Sequence, residues 1–342
     1  ILDSDLGFSL AFKDLTKSKD KNINSLVSYE ISRPFASDEV LCRALCIKLS
    51  EQERVLVITF HHIISDGWSV GIFNKELSAA YESYASYKSP DLPALPVQYA
   101  DYSIWQRSWL SGKILEKQLH YWQEQLQDVS SLELPADRSR PSVQNYKGGY
   151  YQHRVSKDTL DKLRKLSQDE GVTLFMVLFS VFSGVLSKLS NQTDIIIGTP
   201  IAGRNSIDIE GLIGFFVNTL ALRADTSGDP SFKELLHRVE KATLGAYEHQ
   251  DVPFEQLVEH LSIPRDLNRH PLFQVMFALQ NMEITNISMG DLDLQYEYND
   301  EVLRAKFDLT LNAVESSEGL CFGFEYAKDL FDEQTIVRLA RY

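Results

Sequence analysis

The 342-residue chain is poor in cysteine, in basic charge and in long apolar runs, and each deficit excludes a class of protein. Its three cysteines, Cys42, Cys46 and Cys321, are too few for a disulfide framework or a metal-ligand set, so we expect small buried side chains and no bound metal. Acidic residues outnumber basic ones by 48 to 34, which disfavours nucleic acid and anionic membrane surfaces as partners. No run of roughly 18 apolar residues, the length of a membrane span, appears in the sequence, and the composition as a whole favours the cytoplasm.

What the sequence does contain is enough apolar residues, 44%, to form a full globular core. Strand and helix patterns occur in both halves, which favours an α+β fold, a mixed α/β sandwich. A polar stretch bounded by Pro135 and Pro141 interrupts the periodic pattern. We therefore predict an N-terminal subdomain, a connector and a C-terminal subdomain, over residues 1–135, 136–147 and 148–342. The strands predicted in the last segment are 150–155, 194–200, 216–225, 271–281, 292–298, 306–313 and 320–326.

The most informative stretch is HHIISDGWS, residues 61–69. The apolar, β-branched run 55–60 before it predicts a buried strand. The apolar spacing from Trp68 to Tyr84 predicts an amphipathic helix. The two histidines are therefore expected at a strand-to-helix turn, and imidazole is the side chain best suited to move a proton near neutral pH.

The two histidines are expected to have different roles. Neighbouring side chains in a strand point to opposite faces, so His61 and His62 cannot face one cavity if the strand continues through them. This disfavours a 2-His-1-carboxylate metal site with Asp66. From these residues alone, catalysis and a pair of hydrogen-bonded core histidines, with Asp66 capping the next helix, are about equally supported.

Five segments, in order along the chain, resemble motifs of the condensation domains of nonribosomal peptide synthetases. They are the HHxxxDG segment at 61–67, YADYSIWQR at 99–107, IGFFVNTLALR at 213–223, HQDVPFE at 249–255 and RDLNRHPL at 265–272. The last departs from the family pattern, RDxSRNPL, at Asn268 and His270. HHxxxDG alone occurs in other acyltransferases of the superfamily, whereas five motifs in order are specific. The two earliest motifs of the family are absent, so we expect a fragment with an incomplete first subdomain.

The resemblance implies a fold and a reaction. The fold is two chloramphenicol acetyltransferase-like subdomains arranged as a V, the first truncated, with the active site between them. The reaction is attack of an aminoacyl amine, carried by a downstream carrier domain, on the acyl or peptidyl thioester of an upstream one. The implied partners are these two peptidyl carrier domains and an adjacent adenylation domain. No cofactor is implied for the domain itself, since the substrates ride on the phosphopantetheine arms of the carriers.

The resemblance also implies roles for the motif residues. His62, the second histidine, is expected to take the amine proton or to orient the amine and stabilise the tetrahedral intermediate. The N–H of Gly67, at a helix start, is expected to donate to the oxyanion. His61 is expected to be structural, through a backbone hydrogen bond. Asp66 is expected to form an ion pair with Arg223 rather than to orient His62.

Four further residues are expected to line the substrate channel: Trp68, Ser69, Asn218 and Thr219. The HQDVPFE and RDLNRHPL segments resemble peptide-forming members that join an L-configured donor to an L-acceptor. A heterocyclisation domain would carry aspartate in place of His61. Three alternatives stay open: an epimerisation domain, a stand-alone acyltransferase with a soluble acceptor, and a catalytically silent platform that recruits partner enzymes. Such a platform would be expected to have lost HHxxxDG.

Overall fold

The computed structural model describes residues 8–18, 22–36, 39–263, 266–280, 289–295 and 303–342. Contacts divide the chain into two compact units. The first takes its described residues from Ile1–Tyr99, Arg204–Phe216 and Ile284–Val302, and the second from Ala100–Gly203, Val217–Glu283 and Leu303–Tyr342. Both strands and helices are present, which confirms the predicted α+β class. The subdomain bounds at residues 136–147 and the V arrangement stay predictions.

The first unit contains a three-stranded sheet in the order β1-β2-β3. Its strands are β1 (Leu10–Asp14), β2 (Cys42–Lys48) and β3 (Arg54–Phe60). β1 pairs parallel to β2, and β2 pairs antiparallel to β3. A small core of Leu15, Ile47, Leu49 and Val57 packs with partly buried residues of the first helix.

The second unit contains a six-stranded sheet in the order β4-β9-β8-β7-β5-β6. Its strands are β4 (Gly148–Ser156), β5 (Asp194–Ile201), β6 (Asn218–Asp225), β7 (Val275–Gln280), β8 (Leu309–Ser316) and β9 (Gly319–Ala327). β7 pairs parallel to both β5 and β8, and the other pairs are antiparallel. At Gly198 an added Cβ would lie 2.2 Å from the Phe273 ring, so β5 needs glycine where that ring crosses it.

The helices, in chain order, are α1 (Ile23–Ser32), α2 (Gly67–Ala85), α3 (Tyr99–Trp109), α4 (Gly112–Gln125), α5 (Lys157–Glu170), α6 (Leu174–Ser190), α7 (Ile207–Glu210), α8 (Phe232–Glu248), α9 (Phe254–His260) and α10 (Glu333–Leu339). Local sequence sets many of their ends. α5 ends at Gly171, whose φ of 71° is left-handed, and α8 begins with a capping box of Ser231 and Glu234. In the described ranges no single helix is long and apolar enough to cross a membrane; α5 and α6 pass that test only as a pair bent by 105°.

The strand prediction fails at one place. The other predicted strands of the C-terminal segment are confirmed to within a few residues. In the predicted strand 292–298, Leu292 forms only an isolated bridge to Met289, because Gly290 takes a left-handed φ of 60° and turns the chain back. Residues 296–298 lie outside the described residues.

The three cysteines were expected to be buried, and all are half-buried.

His270, which stands where the family pattern has asparagine, is half-buried and packs against the core of the second unit. Its ring packs against those of Phe254, Phe273 and Phe307, at centroid distances of 5.6, 4.8 and 4.7 Å. Burial lowers its pKa, although Nδ1 lies 2.9 Å from the carbonyl oxygen of Pro271, which favours the protonated form. The folded protein therefore holds this imidazole neutral at pH values where an exposed histidine is protonated.

We expect His270→Asn to flatten the pH dependence of stability. With an ordinary pKa of about 6.5, this histidine binds a proton in the unfolded chain before it does so in the folded protein. The free energy of unfolding of the wild type should therefore fall as the pH drops below about 6.5, by at most about 1.4 kcal/mol per pH unit from this residue. Urea unfolding at pH 7.5, 6.5 and 5.5 measures it. Equal slopes for the two proteins would contradict the expectation, since the other histidines are common to both.

Candidate active site

His61 is held in place by hydrogen bonds at the turn after β3. The strand ends at Phe60, and His61 caps a short 3₁₀ helix, His62–Ile64. The backbone N–H of His61 donates to the carbonyl of Leu41 (2.9 Å), and its Nδ1 accepts from the N–H of Ile63 (3.1 Å). The strand does not continue through the pair, so the turn, and not strand alternation, gives the two imidazoles different surroundings.

The imidazole of His62 is exposed and packs edge-on against a phenyl ring. Its centroid lies 5.2 Å from that of Phe215, with the ring planes at 90°. Within the part of the chain that the structure describes, neither ring nitrogen is hydrogen-bonded to another residue. Both nitrogens are therefore open to a bound molecule.

Asp66 is buried and caps α2. Its Oδ1 accepts from the N–H of Ser69 (2.8 Å), and its Oδ2 accepts from the N–H of Phe216 (2.9 Å). Burial alone would raise the pKa of Asp66, but these N–H groups, the Ser69 hydroxyl and the Arg204 guanidinium outweigh it, so the pKa lies below its usual value. Asp66 is therefore an ionised carboxylate that joins the helix start to residue 216.

Arg204 is the ion-pair partner of Asp66. Only 1% of its side chain is exposed, and its Nη2 lies 3.4 Å from Oδ1 of Asp66. Nη1 donates to the carbonyls of Ile209 (2.6 Å) and Leu212 (2.8 Å), and the guanidinium lies 4.0 Å from the centroid of the Phe216 ring. The pair therefore fastens the segment 204–216, which we call the strap, to the start of α2.

Arg223 has a different partner from the expected one. Its Nε and Nη2 donate to the two carboxylate oxygens of Asp194, each at 2.7 Å, and its Nη1 donates to the carbonyls of Gln125 and Gln127. The register of β5 and β6 sets Arg223 opposite Ile196, two residues along the strand from Asp194. The pairs are Asp66 with Arg204 and Arg223 with Asp194, which corrects the pairing implied by the resemblance.

Ser69 is part of this anchor and not an exposed channel residue. Its side chain is fully buried, and its hydroxyl lies 2.7 Å from Oδ1 of Asp66 and 2.9 Å from the carbonyl oxygen of Gly214. The same oxygen accepts from Nη2 of Arg204 (2.9 Å) and from the N–H of Gly214 (3.1 Å). The expectation that Ser69 lines the channel is therefore wrong, because its polar atoms are used inside the protein.

The neighbours of Ser69 on α2 remain accessible. Trp68 is 37% exposed, and its indole Nε1 donates to the carbonyl of Glu210 in the strap (2.9 Å). Gly67 is exposed and is the first residue of α2, where backbone N–H groups lack helical partners. The oxyanion role of Gly67 and the channel role of Trp68 stay predictions.

In the second unit, Asn218 braces the segment that follows α8. Its Nδ2 donates to the carbonyls of Gln250 (2.9 Å) and Val252 (2.8 Å). Its Oδ1 accepts from the N–H of Phe254 (3.0 Å) and of Thr219 (2.9 Å). The amide of Asn218 thus ties the HQDVPFE segment to β6, which leaves no donor for a substrate. The channel role of Thr219 stays a prediction.

The sequence did not point to Arg204 or Phe215 as site residues. Arg204 lies outside the five motifs, and its contact with Asp66 spans 138 residues.

In the described ranges, no group of three or more His, Cys, Asp or Glu side chains is placed to hold a metal ion.

Comparisons with known proteins give the family. The profile of the family described as "Condensation domain" matches residues 3–342. A linear gramicidin synthase protein of Brevibacillus parabrevis is 45% identical over 327 residues, which are 95% of this chain and 6% of that protein. The X-domain from teicoplanin biosynthesis superposes with a TM-score of 0.86 at 27% identity, covering 98% of this chain and 76% of that one. A four-domain nonribosomal peptide synthetase, holo-AB3403, gives 0.84 at 25%, covering 98% of this chain and 26% of that one. Because the family profile matches nearly the whole chain, this protein belongs to the condensation-domain family.

Proposed function

We propose that this chain forms amide bonds as the condensation domain of a nonribosomal peptide synthetase. The observation that carries the proposal is the exposed imidazole of His62, with both nitrogens open beside an anchored turn, in a chain of this family. The similarity to a linear gramicidin synthase supports a role in peptide assembly. The chain spans only 6% of that relative, so the activity proposed here is that of one domain.

The proposed reaction joins two tethered substrates. The amine of the acceptor attacks the thioester carbonyl of the donor, and a C–N bond forms. The tetrahedral intermediate then collapses, the C–S bond breaks, and the carrier's thiol leaves with a proton. Since a thioester is already activated, no covalent nucleophile is needed, and placement can contribute roughly 7–11 kcal/mol in the best intramolecular cases.

His62 supplies the proton step in this proposal. Its open nitrogen takes the proton that the attacking amine loses, or holds the amine by a hydrogen bond as the intermediate forms. Base assistance of this kind contributes roughly 10²–10⁴-fold. The N–H of Gly67, at the positive end of α2, donates to the oxyanion.

The proposed partners are carrier domains. Both substrates ride on phosphopantetheine arms, one on an upstream and one on a downstream peptidyl carrier domain, and the condensation domain holds no cofactor of its own. An adenylation domain is the expected neighbour, since the similar four-domain synthetase was solved with AMP and glycine. We further infer an L-configured donor and acceptor, and a cytoplasmic location.

A recruitment platform is the second candidate. The similar teicoplanin X-domain has also been solved in a complex with OxyB from the same biosynthesis. A platform needs no open imidazole at the strand-to-helix turn, and this chain has one. Catalysis is therefore favoured.

Intact-mass spectrometry of the carrier proteins tests the proposal. The protein is mixed with two carriers that bear different aminoacyl groups, and the downstream carrier is followed with time. We expect it to gain the mass of the donor acyl group. Hydroxylamine, which cleaves the thioester to the carrier, should then release the donor and acceptor groups as one molecule, because the amide between them survives. An unchanged mass with inversion at the donor's α-carbon would indicate an epimerisation domain. No change with several donors, for folded protein, would overturn catalysis in favour of the platform.

A further inference from the structure

The strap is fixed on both sides of Phe215. The N–H of Gly214 donates to the hydroxyl of Ser69 (3.1 Å). The N–H of Phe216 donates to the carboxylate of Asp66 (2.9 Å). Both acceptors belong to α2 or cap it, so the backbone beside Phe215 is tied to the element that follows the two histidines.

Two contacts of Tyr99 fix residue 215 further. Its phenol donates to the carbonyl of Phe215 (2.8 Å), and its ring lies so close to Gly214 that an added Cβ would be 2.3 Å away. Its ring also packs edge-on against that of Phe216, at 5.1 Å between centroids. Hydrogen bonds therefore hold the residues on both sides of Phe215 and its own carbonyl, while its side chain stays 36% exposed.

The side chain of Phe215 reaches the imidazole of His62. The two ring centroids are 5.2 Å apart at 90°, an arrangement that aromatic pairs favour. A histidine that moves protons is usually oriented by a hydrogen bond at its second nitrogen. Among the described residues no such bond is made to His62, and the ring contact that the imidazole makes is with the phenyl group of Phe215.

We propose that Phe215 is a positioning residue that holds the imidazole of His62 in the orientation for the proton step, a role that rests on the proposed function. The anchored strap gives the ring a fixed position, and the edge-on contact restricts rotation of the imidazole without using either nitrogen. Beyond the effect of its buried area, an aromatic pair of this geometry can change the equilibrium constant between the paired and unpaired arrangements by up to roughly tenfold. Phe215 thus leaves the nitrogens free for substrate while limiting where they point.

A comparison of kcat with KM tests this role on the intact protein with both carriers. We expect Phe215→Ala to lower kcat roughly tenfold and to change KM less than about twofold, because the orientation matters in the transition state and not in binding. Phe215→Tyr, which keeps the ring, should restore kcat. Ile213→Ala is the matched control, since Ile213 lies on the strap and is 37% exposed. A raised KM with unchanged kcat would assign Phe215 to substrate binding and overturn the proposal, as would an unchanged kcat.

The motion of the imidazole gives a readout that needs no reaction. In protein with ¹³C-labelled histidine, with the His62 signals assigned through His62→Ala, the ring C–H order parameters should fall in Phe215→Ala and stay at the wild-type value in Phe215→Tyr and Ile213→Ala. Equal order parameters in all four proteins would overturn the positioning role. If the wild type transfers no acyl group, the proposed function fails, and this measurement alone decides whether Phe215 holds His62.

Discussion

His62→Ala is expected to lower the rate of acyl transfer by roughly 10²–10⁴-fold, the usual contribution of a general base. The free energy of unfolding should change by less than about 1 kcal/mol, since the ring is exposed and its aromatic contact with Phe215 is worth about that much. The rate is read from the mass of the downstream carrier against time, and the stability from urea unfolding. The large effect on rate with a small effect on stability is what separates a reacting group from a structural one.

His61→Ala is the matched control, because it removes the same side chain one residue earlier. It deletes the bond from the N–H of Ile63 to Nδ1, so we expect a loss of stability of about 1 kcal/mol and a smaller loss of rate than for His62→Ala. Transfer by His62→Ala within about tenfold of the wild type would contradict the proton-step role. Placement of the two tethered substrates would then be sufficient for the reaction.

The secondary structure around the site follows from local sequence. Asp66 starts α2 because its short carboxylate can accept from the N–H of Ser69, and Gly171 ends α5 because it takes a left-handed φ without a Cβ clash. Signals of this kind act over three or four residues, so the helix from about Trp68 to Tyr84 was predictable. The strand predicted at 292–298 was wrong over its described residues, because its apolar pattern competes with a glycine turn whose effect depends on the φ of one residue.

The contacts that form the site are long-range, and the sequence alone gave few signs of them. An arginine partner for Asp66 was foreseen, but its identity was not, since the choice between Arg204 and Arg223 depends on where β5 ends and on the register of β5 against β6. Phe215 was part of a recognised segment, yet nothing in its spacing shows that its ring meets His62. Such pairings are decided by tertiary packing, which local patterns do not encode.

Asp66→Ala is expected to lower the free energy of unfolding by roughly 3–5 kcal/mol, because it leaves the buried guanidinium of Arg204 without its carboxylate. It also removes the acceptor for the N–H groups of Ser69 and Phe216. The strap should loosen, so the rate of transfer should fall even where the protein stays folded. Urea unfolding gives the stability, and the carrier assay under folded conditions gives the rate.

Asp194→Ala is the matched control for the loss of a carboxylate. The pair of Asp194 with Arg223 is partly exposed, and Arg223 keeps its bonds to two backbone carbonyls, so we expect a cost of about 1 kcal/mol or less. Equal costs for the two variants would contradict the assignment of Asp66 and Arg204 as the buried pair. A larger cost for Asp194→Ala would make Asp194 and Arg223 the dominant pair instead.

The acid limb of the stability curve tests whether the carboxylate of Asp66 is ionised in the folded protein. Its pKa is lowered on folding, so its contribution is complete above the unfolded value of about 3.9 and is lost as the pH falls towards the lower folded value. Asp66→Asn should lack this component and show a shallower decline over that range.

A double-mutant cycle of Asp66→Asn with Arg204→Met measures the coupling between the two side chains. A double variant that loses less stability than the sum of the two single losses would show that the stranded charge, and not the missing carboxylate, accounts for most of the cost. A sum that holds without coupling would mean that Asp66 acts through the N–H groups of Ser69 and Phe216, and that Arg204 holds the strap through its backbone carbonyls alone.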